Sequence, residues 1–206
     1  MRYTGPRNKL ARREGIDLGL RGIGTKAHAS LLRRMNIRPG QKPNTRYPKV
    51  TEYGLQLRDK QKIRRMYGLT ESQLHKYFEE ASRTLGNTST LLIQLLESRL
   101  DNVVYKLGFT PTRAAARQLV NHGHFLVNNN KSTIPSMQIK VGDIISFKKG
   151  ATTQIPYVKE MIDRKDITPP DWLQRKATLG KVINKPGIDM LVEEINLQAV
   201  IEFYSR

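Results

Sequence analysis

Between residues 53 and 109 the apolar positions recur at helical spacing. Leu55, Ile63, Met66 and Tyr67 fall roughly on one face, Arg58, Lys60, Lys62, Arg64 and Arg65 surround them, and Gly68 closes the helix. Thr70 and Gln73 stand at capping-box spacing before a second helix through Leu74, Tyr77, Phe78, Ala81 and Leu85, stopped by Gly86 and Asn87. Leu91, Leu92, Leu95, Leu96, Leu100, Val103, Val104 and Leu107 predict one continuous third helix from about Ser89 to Gly108.

The period then shortens. Thr110 or Thr112 can cap a helix over 114–121 that ends at Gly123. Short β-rich runs follow at 125–127, 132–134 and 143–147, with Asn128, Asn129 and Asn130 as a turn, which reads as hairpins. Residues 157–165 read as a short helix, Pro169 to Trp172 as a corner, 180–183 as a strand, and 200–204 as a closing apolar run. Residues 1–50 keep no sustained period apart from a short possible helix around His28–Met35. Their glycines and prolines predict an extended arm that orders only against a partner.

Charge gives that arm a meaning. The 206 residues carry 36 Lys and Arg against 18 Asp and Glu, a net of +18. Residues 1–50 hold 13 basic and 2 acidic residues and 101–150 hold 7 and 2, whereas the last 56 are balanced at 8 and 8. Solubility needs no such asymmetry, so the pattern points to a polyanion, and to nucleic acid ahead of an anionic membrane surface. There is no cysteine, which excludes disulfides, thiolate zinc sites, iron–sulfur clusters and cysteine nucleophiles. No apolar run approaches the ~18 residues of a membrane span, and the first fifteen residues hold no apolar h-region, so neither insertion nor secretion is expected.

Catalytic patterns fail. Gly24-Thr25-Lys26 reverses the order a phosphate loop needs and no strand precedes it. His122 and His124 flank Gly123, yet two imidazoles without a third ligand make a poor zinc site, so no metal and no cofactor is expected. Glu79–Glu80 and Glu193–Glu194 are sequence neighbours that do not face each other on a helix. RNA contact fares better. Arg113 and Arg117 lie four apart, with alanines between them and no acid at i±4. Arginine's planar fork grips phosphate at two points and stacks on bases. Tyr3, Tyr47, Tyr53 and Tyr67 are interleaved with basic residues and could stack on bases, although Tyr53 and Tyr67 equally suit partial packing in a core.

The block Leu96-Glu97-Ser98-Arg99-Leu100-Asp101-Asn102-Val103-Val104-Tyr105-Lys106-Leu107-Gly108-Phe109 closely resembles a segment of the bacterial small-subunit ribosomal protein S-four family. Arg113 to Phe125, Tyr3 to Pro6, Glu52 to Arg58 and Ile201 to Arg206 resemble other family blocks in the family's order, so the resemblance covers the whole chain. It implies an α+β protein with a basic arm (1–45), a helical domain (46–97, completed by 191–206) and an RNA-binding domain (98–190). The last would contain a helix–turn–helix plus β-hairpin module at about 98–150.

The resemblance further implies a structural role. Such proteins bind the 5′ domain of small-subunit ribosomal RNA early in assembly and touch ribosomal protein S-five, with messenger RNA near its entrance as a further neighbour, an interface linked to translational accuracy. Neither a membrane nor a small-molecule substrate would be a partner, and a cytoplasmic ribosome is favoured over an organellar one. The candidate RNA contacts are Arg2, Tyr3, Arg7, Arg12, Arg13, Tyr53, Arg58, Lys60, Lys62, Arg64, Arg65, Lys106, Arg113, Arg117, His122 and His124. Many members carry zinc-binding cysteines in the arm; alignment puts the first two at Asn8 and Ala11, so the chain resembles the zinc-free form. The alternative reading is an RNA-modifying or tRNA-charging enzyme that uses the same module, but residues outside the module show no catalytic signature.

Overall fold

The computed structural model describes residues 3–40, 49–148, 152–164, 167–187 and 195–205. The chain forms two compact units, Met1–Leu92 with Leu191–Arg206, and Ile93–Met190. The architecture is α+β, with helices and one antiparallel sheet.

The first unit is helical. The arm expected to be extended holds a helix at its start, α1 (Arg7–Glu14), and the short helix expected around His28–Met35 is α2 (Lys26–Arg33). The sequence hides α1 because polar groups make most of the contacts in this segment. Arg12 donates to the carbonyls of Arg34, Ile37 and Arg38 beyond the end of α2. Asn8 donates to Ala27 O at 2.9 Å and accepts from Arg21 at 3.2 Å, while Asp17 meets His28 at 2.7 Å. Among the described residues of this segment, Ala11, Ile16, Leu18 and Leu31 are the buried apolar ones. Asn8 and Ala11, the two positions that the resemblance aligns with cysteines, join this segment by hydrogen bonding and close packing.

Next come α3 (Glu52–Met66) and α4 (Glu71–Arg83), the latter begun by the expected capping box of Thr70 and Gln73. The closing apolar run is part of α9 (Leu197–Tyr204), which packs on α3 and α4. The buried stripe of α3 is rotated from the expected one. Leu55 is exposed, and Gln56 and Lys60 are buried with Ile63 and Met66. Polar side chains occupy it because partners await them: Gln56 donates to Glu202 at 2.9 Å and Lys60 to Glu71 at 2.6 Å. The Lys60 ammonium also lies 4.1 Å from the Phe203 ring centroid.

In the second unit, the helix expected to be continuous is broken. The end of α5 (Thr88–Glu97) is separated from α6 (Leu100–Lys106) by Ser98 and an extended Arg99, φ −65° and ψ 137°. There the backbone pairs with residues 135–139: Leu100 N donates to Met137 O, Asp101 N to Pro135 O and Ile139 N to Ser98 O. Thr112 caps α7 (Arg113–Asn121). Strands β1 (Phe125–Val127), β2 (Asn130–Ser132), β3 (Ile144–Phe147), β4 (Leu173–Lys176) and β5 (Leu179–Val182) form an antiparallel sheet in the order β2-β1-β3-β5-β4. Asn128 and Asn129, both at positive φ, make the two-residue turn between β1 and β2, so β2 starts two residues earlier than expected. The inward strand residues pack with α6, α7 and α8 (Pro156–Asp163) around Phe109, Phe125 and Phe147.

Candidate nucleic-acid interface

In the first unit α1 delivers a buried carboxylate, Glu14, into basic surroundings. Arg58 reaches its Oε1 at 3.2 Å, and Arg65 donates to the same oxygen. Burial, the largest cause, pulls the Arg65 guanidinium below its usual range; Glu14 opposes this, and Arg58, Arg64 and Arg13 add to the lowering. Glu71 meets Lys60 at 2.6 Å and Arg64 at 3.6 Å. Arg58, Lys60, Arg64 and Arg65 thus gather around two carboxylates that limit their motion, with the charge of exposed Arg13 nearby. A phosphate brought here meets positive charge in excess of what the protein neutralises.

The second unit repeats that logic with different residues. Asp101, buried in the first turn of α6, accepts from Arg99 Nε at 3.1 Å and Nη2 at 2.9 Å. Arg117 approaches the same carboxylate through Nε at 2.8 Å and Nη2 at 2.7 Å. Asn102 donates to Glu97 Oε2 at 2.8 Å, and its own oxygen accepts from Arg113 Nε at 2.8 Å. The Arg113 guanidinium lies 4.6 Å from the Tyr105 ring centroid. Lys106 completes the group. Burial lowers its ammonium pKa, Glu97 opposes that, and Arg113 adds to it. Arg99, Lys106, Arg113 and Arg117 therefore stand against Glu97 and Asp101.

This corrects one expectation. Arg113 and Arg117 lack an acid along their own helix, yet Asp101 meets Arg117 from α6, and Asn102 meets Arg113 from the same turn. The close packing of α6 on α7 supplies partners that spacing within one helix does not show. Glu97, Arg99, Asp101 and Asn102 were missed as parts of the site; their signal was the polar run Glu97-Ser98-Arg99 with Asp101-Asn102 inside an apolar helix pattern.

Other candidates separate by environment. Tyr3 and Arg13 are exposed, and exposed Tyr53 has its ring 5.4 Å from that of Phe203. Arg7 donates to Leu20 O at 3.2 Å and Arg12 caps carbonyls, so both tie the arm together. Lys62 pairs with Asp59 at 2.9 Å. Lys60, only 6% exposed, is a structural cation rather than a surface one, and Tyr67 is core. His122 is exposed, its ring 6.2 Å from that of His124, whose Nδ1 is 2.8 Å from Thr152 Oγ1. Burial, then His122 and Lys148, lower the His124 pKa. Lys148 and Lys131, which lies across Gly123, extend this patch and were not singled out from the sequence. Arg2 and Tyr47 lie outside the described residues. Among the described residues there is no group of three or more His, Asp or Glu able to hold a metal, and no helix long and apolar enough to cross a membrane.

Known proteins match along the full chain. Residues 2–97 match the ribosomal protein S4/S9 N-terminal domain and residues 98–145 match the S4 domain. The small ribosomal subunit protein uS4 of Herpetosiphon aurantiacus is 46% identical over 211 residues, covering 100% of this chain and 99% of its own length. Its counterpart in Neisseria meningitidis is 47% identical over 207 residues, with the same coverage of both chains. That of Laribacter hongkongensis is 44% identical, again over 100% and 99%. The agreement runs through both compact units, and the chain belongs to the ribosomal protein S4 family.

Proposed function

We propose that this chain is a structural, non-catalytic constituent of the small ribosomal subunit. It binds ribosomal RNA early, at the 5′-domain junction, and helps nucleate assembly there. It also touches ribosomal protein S-five, and through that contact bears on translational accuracy; its place of work is the cytoplasmic ribosome. The observation that carries the RNA reading is the pair of arginine clusters, one in each unit, where cations outnumber the buried carboxylates that orient them. Phosphate neutralises that surplus, and releasing the condensed counterions drives binding.

Sedimentation of tagged protein with ribosomal subunits tests the reading, together with protection mapping of small-subunit RNA. We expect one copy per small subunit and protection confined to the 5′ domain. Protein that stays free of subunits, or protection scattered over all RNA domains, would overturn it.

A further inference from the structure

Antiparallel sheets with one covered face usually turn polar residues to the other. Here the pattern fails at the centre. Ile145, Phe147 and Val182 point into the core, while their neighbours Ile144, Leu179 and Ile183 stay 45%, 48% and 43% exposed. Ile144 pairs directly with Lys181, so Leu179 and Ile183 are its diagonal neighbours across β3 and β5. Leu126, opposite Ser146, extends the strip across β1. Three central strands thus carry apolar residues on one face, with Lys181 among them opposite Ile144 and Lys176 at the edge beside Leu179. None of the outward positions of the five strands, 126, 131, 144, 146, 174, 176, 179 and 181, is acidic.

We infer that this face docks a neighbouring small-subunit protein through a segment that alternates apolar with acidic residues. The inference rests on the ribosomal reading above and adds a surface and a partner chemistry to it. Isolated exposed apolar residues need no explanation, but a contiguous strip does. RNA is the poorer occupant. A phosphate backbone gains nothing from isoleucine and leucine, the strip offers no aromatic ring for a base, and the one arginine on these strands, Arg175, turns inward to the carbonyls of Leu107, Met161 and Ile162. A segment that alternates apolar with acidic residues satisfies both the apolar side chains and the two lysines, one set among them and one at their edge.

The test uses the full chain with Leu179 replaced by the photoreactive benzoylphenylalanine, assembled into small subunits with ribosomal RNA and the other subunit proteins. Irradiation should give a ribonuclease-resistant cross-link to a protein, mapping to a stretch that alternates apolar residues with Asp or Glu. The double variant Lys176→Glu, Lys181→Glu should cut that cross-link roughly fivefold, about what two exposed ion pairs contribute, and leave the salt slope of RNA binding unchanged. A cross-link to RNA, one to a stretch without carboxylates, or none in fully occupied particles overturns the inference alone. If the unsubstituted chain fails to enter particles, the ribosomal reading falls with it.

Discussion

Asp101→Asn is the sharpest probe of the second unit. Asp101 and Arg99 are both 3% exposed, and Arg99 holds both oxygens of the carboxylate. Asparagine keeps the shape but leaves the Arg99 charge buried without its counter-charge, a change that costs about 3–5 kcal/mol. Losing an acid from the first turn of α6 adds at most about 1 kcal/mol, too little to produce such an effect alone. The only tryptophan, Trp172, is buried in the core of this same unit, so its fluorescence in urea reports this unit rather than the helical one. With a urea slope of about 1.5 kcal/mol per molar, within the usual range, the midpoint should fall by roughly 2–3 M. Arg117→Gln is the control. That side chain is 24% exposed, so solvent screens its pair with Asp101, and the midpoint should move by less than about 0.7 M. If Asp101→Asn moves the midpoint by less than about 0.5 M, or no further than Arg117→Gln, the buried Arg99–Asp101 pair does not hold the start of α6 in this unit.

Other outcomes follow from the same reasoning. Arg12→Gln should loosen the arm, seen as faster amide exchange over 26–38, whereas exposed Arg13→Gln should leave exchange unchanged and lower the salt slope of RNA binding by roughly 0.7–0.9. Burial works to raise the Glu71 pKa, but hydrogen bonds from Lys60 and Tyr204 and the charges of Lys60 and Arg64 outweigh it and hold it low. Its stabilising share is therefore complete above the unfolded carboxyl value of about 4.3 and is lost as pH falls through the lower folded value. Acid titration should release α9 from α3 and α4 earlier in Tyr204→Phe than in the unsubstituted chain. Gly180→Ala should cost about 1–3 kcal/mol by Trp172 fluorescence, because the added methyl would collide with the fully buried Leu107 side chain. The purified chain should hold no stoichiometric zinc by elemental analysis, and chelators should leave its RNA affinity unchanged.

Where apolar spacing and capping agreed, the sequence was read correctly: Thr70 and Gln73 open α4, and Thr112 opens α7. It misled where polar groups do the packing. The sequence of α1, Arg-Asn-Lys-Leu-Ala-Arg-Arg-Glu, has almost no apolar face, and its contacts run through Asn8, Arg12 and Glu14. The stripe of α3 could not be placed because its first two buried positions are Gln56 and Lys60. The break at Arg99 was hidden by leucines that keep helical spacing on both sides of it, while the cause, pairing with residues 135–139, lies some 35–40 positions away in the chain. Strand β4 escaped for a similar reason: its one long-range clue is Arg175, an inward cation that caps two helix ends.

Counting charges along the chain locates a nucleic-acid-binding protein but does not sort its cations. A buried lysine and an exposed arginine add equally to a net charge. Only partners distinguish them. On α3 the sequence offers Arg58, Lys60, Lys62, Arg64 and Arg65 as one basic face, yet each of them meets Glu14, Asp59 or Glu71. If carboxylates cancelled these cations one for one, the face would be inert toward RNA. They do not, because Glu14 is shared by Arg58 and Arg65, and Glu71 by Lys60 and Arg64. Sharing leaves charge over while fixing where each guanidinium points. Asp101 does the same between Arg99 and Arg117. Ordering a long flexible side chain costs roughly 1.5–2 kcal/mol of rotamer freedom, and in these clusters folding rather than RNA binding bears much of it.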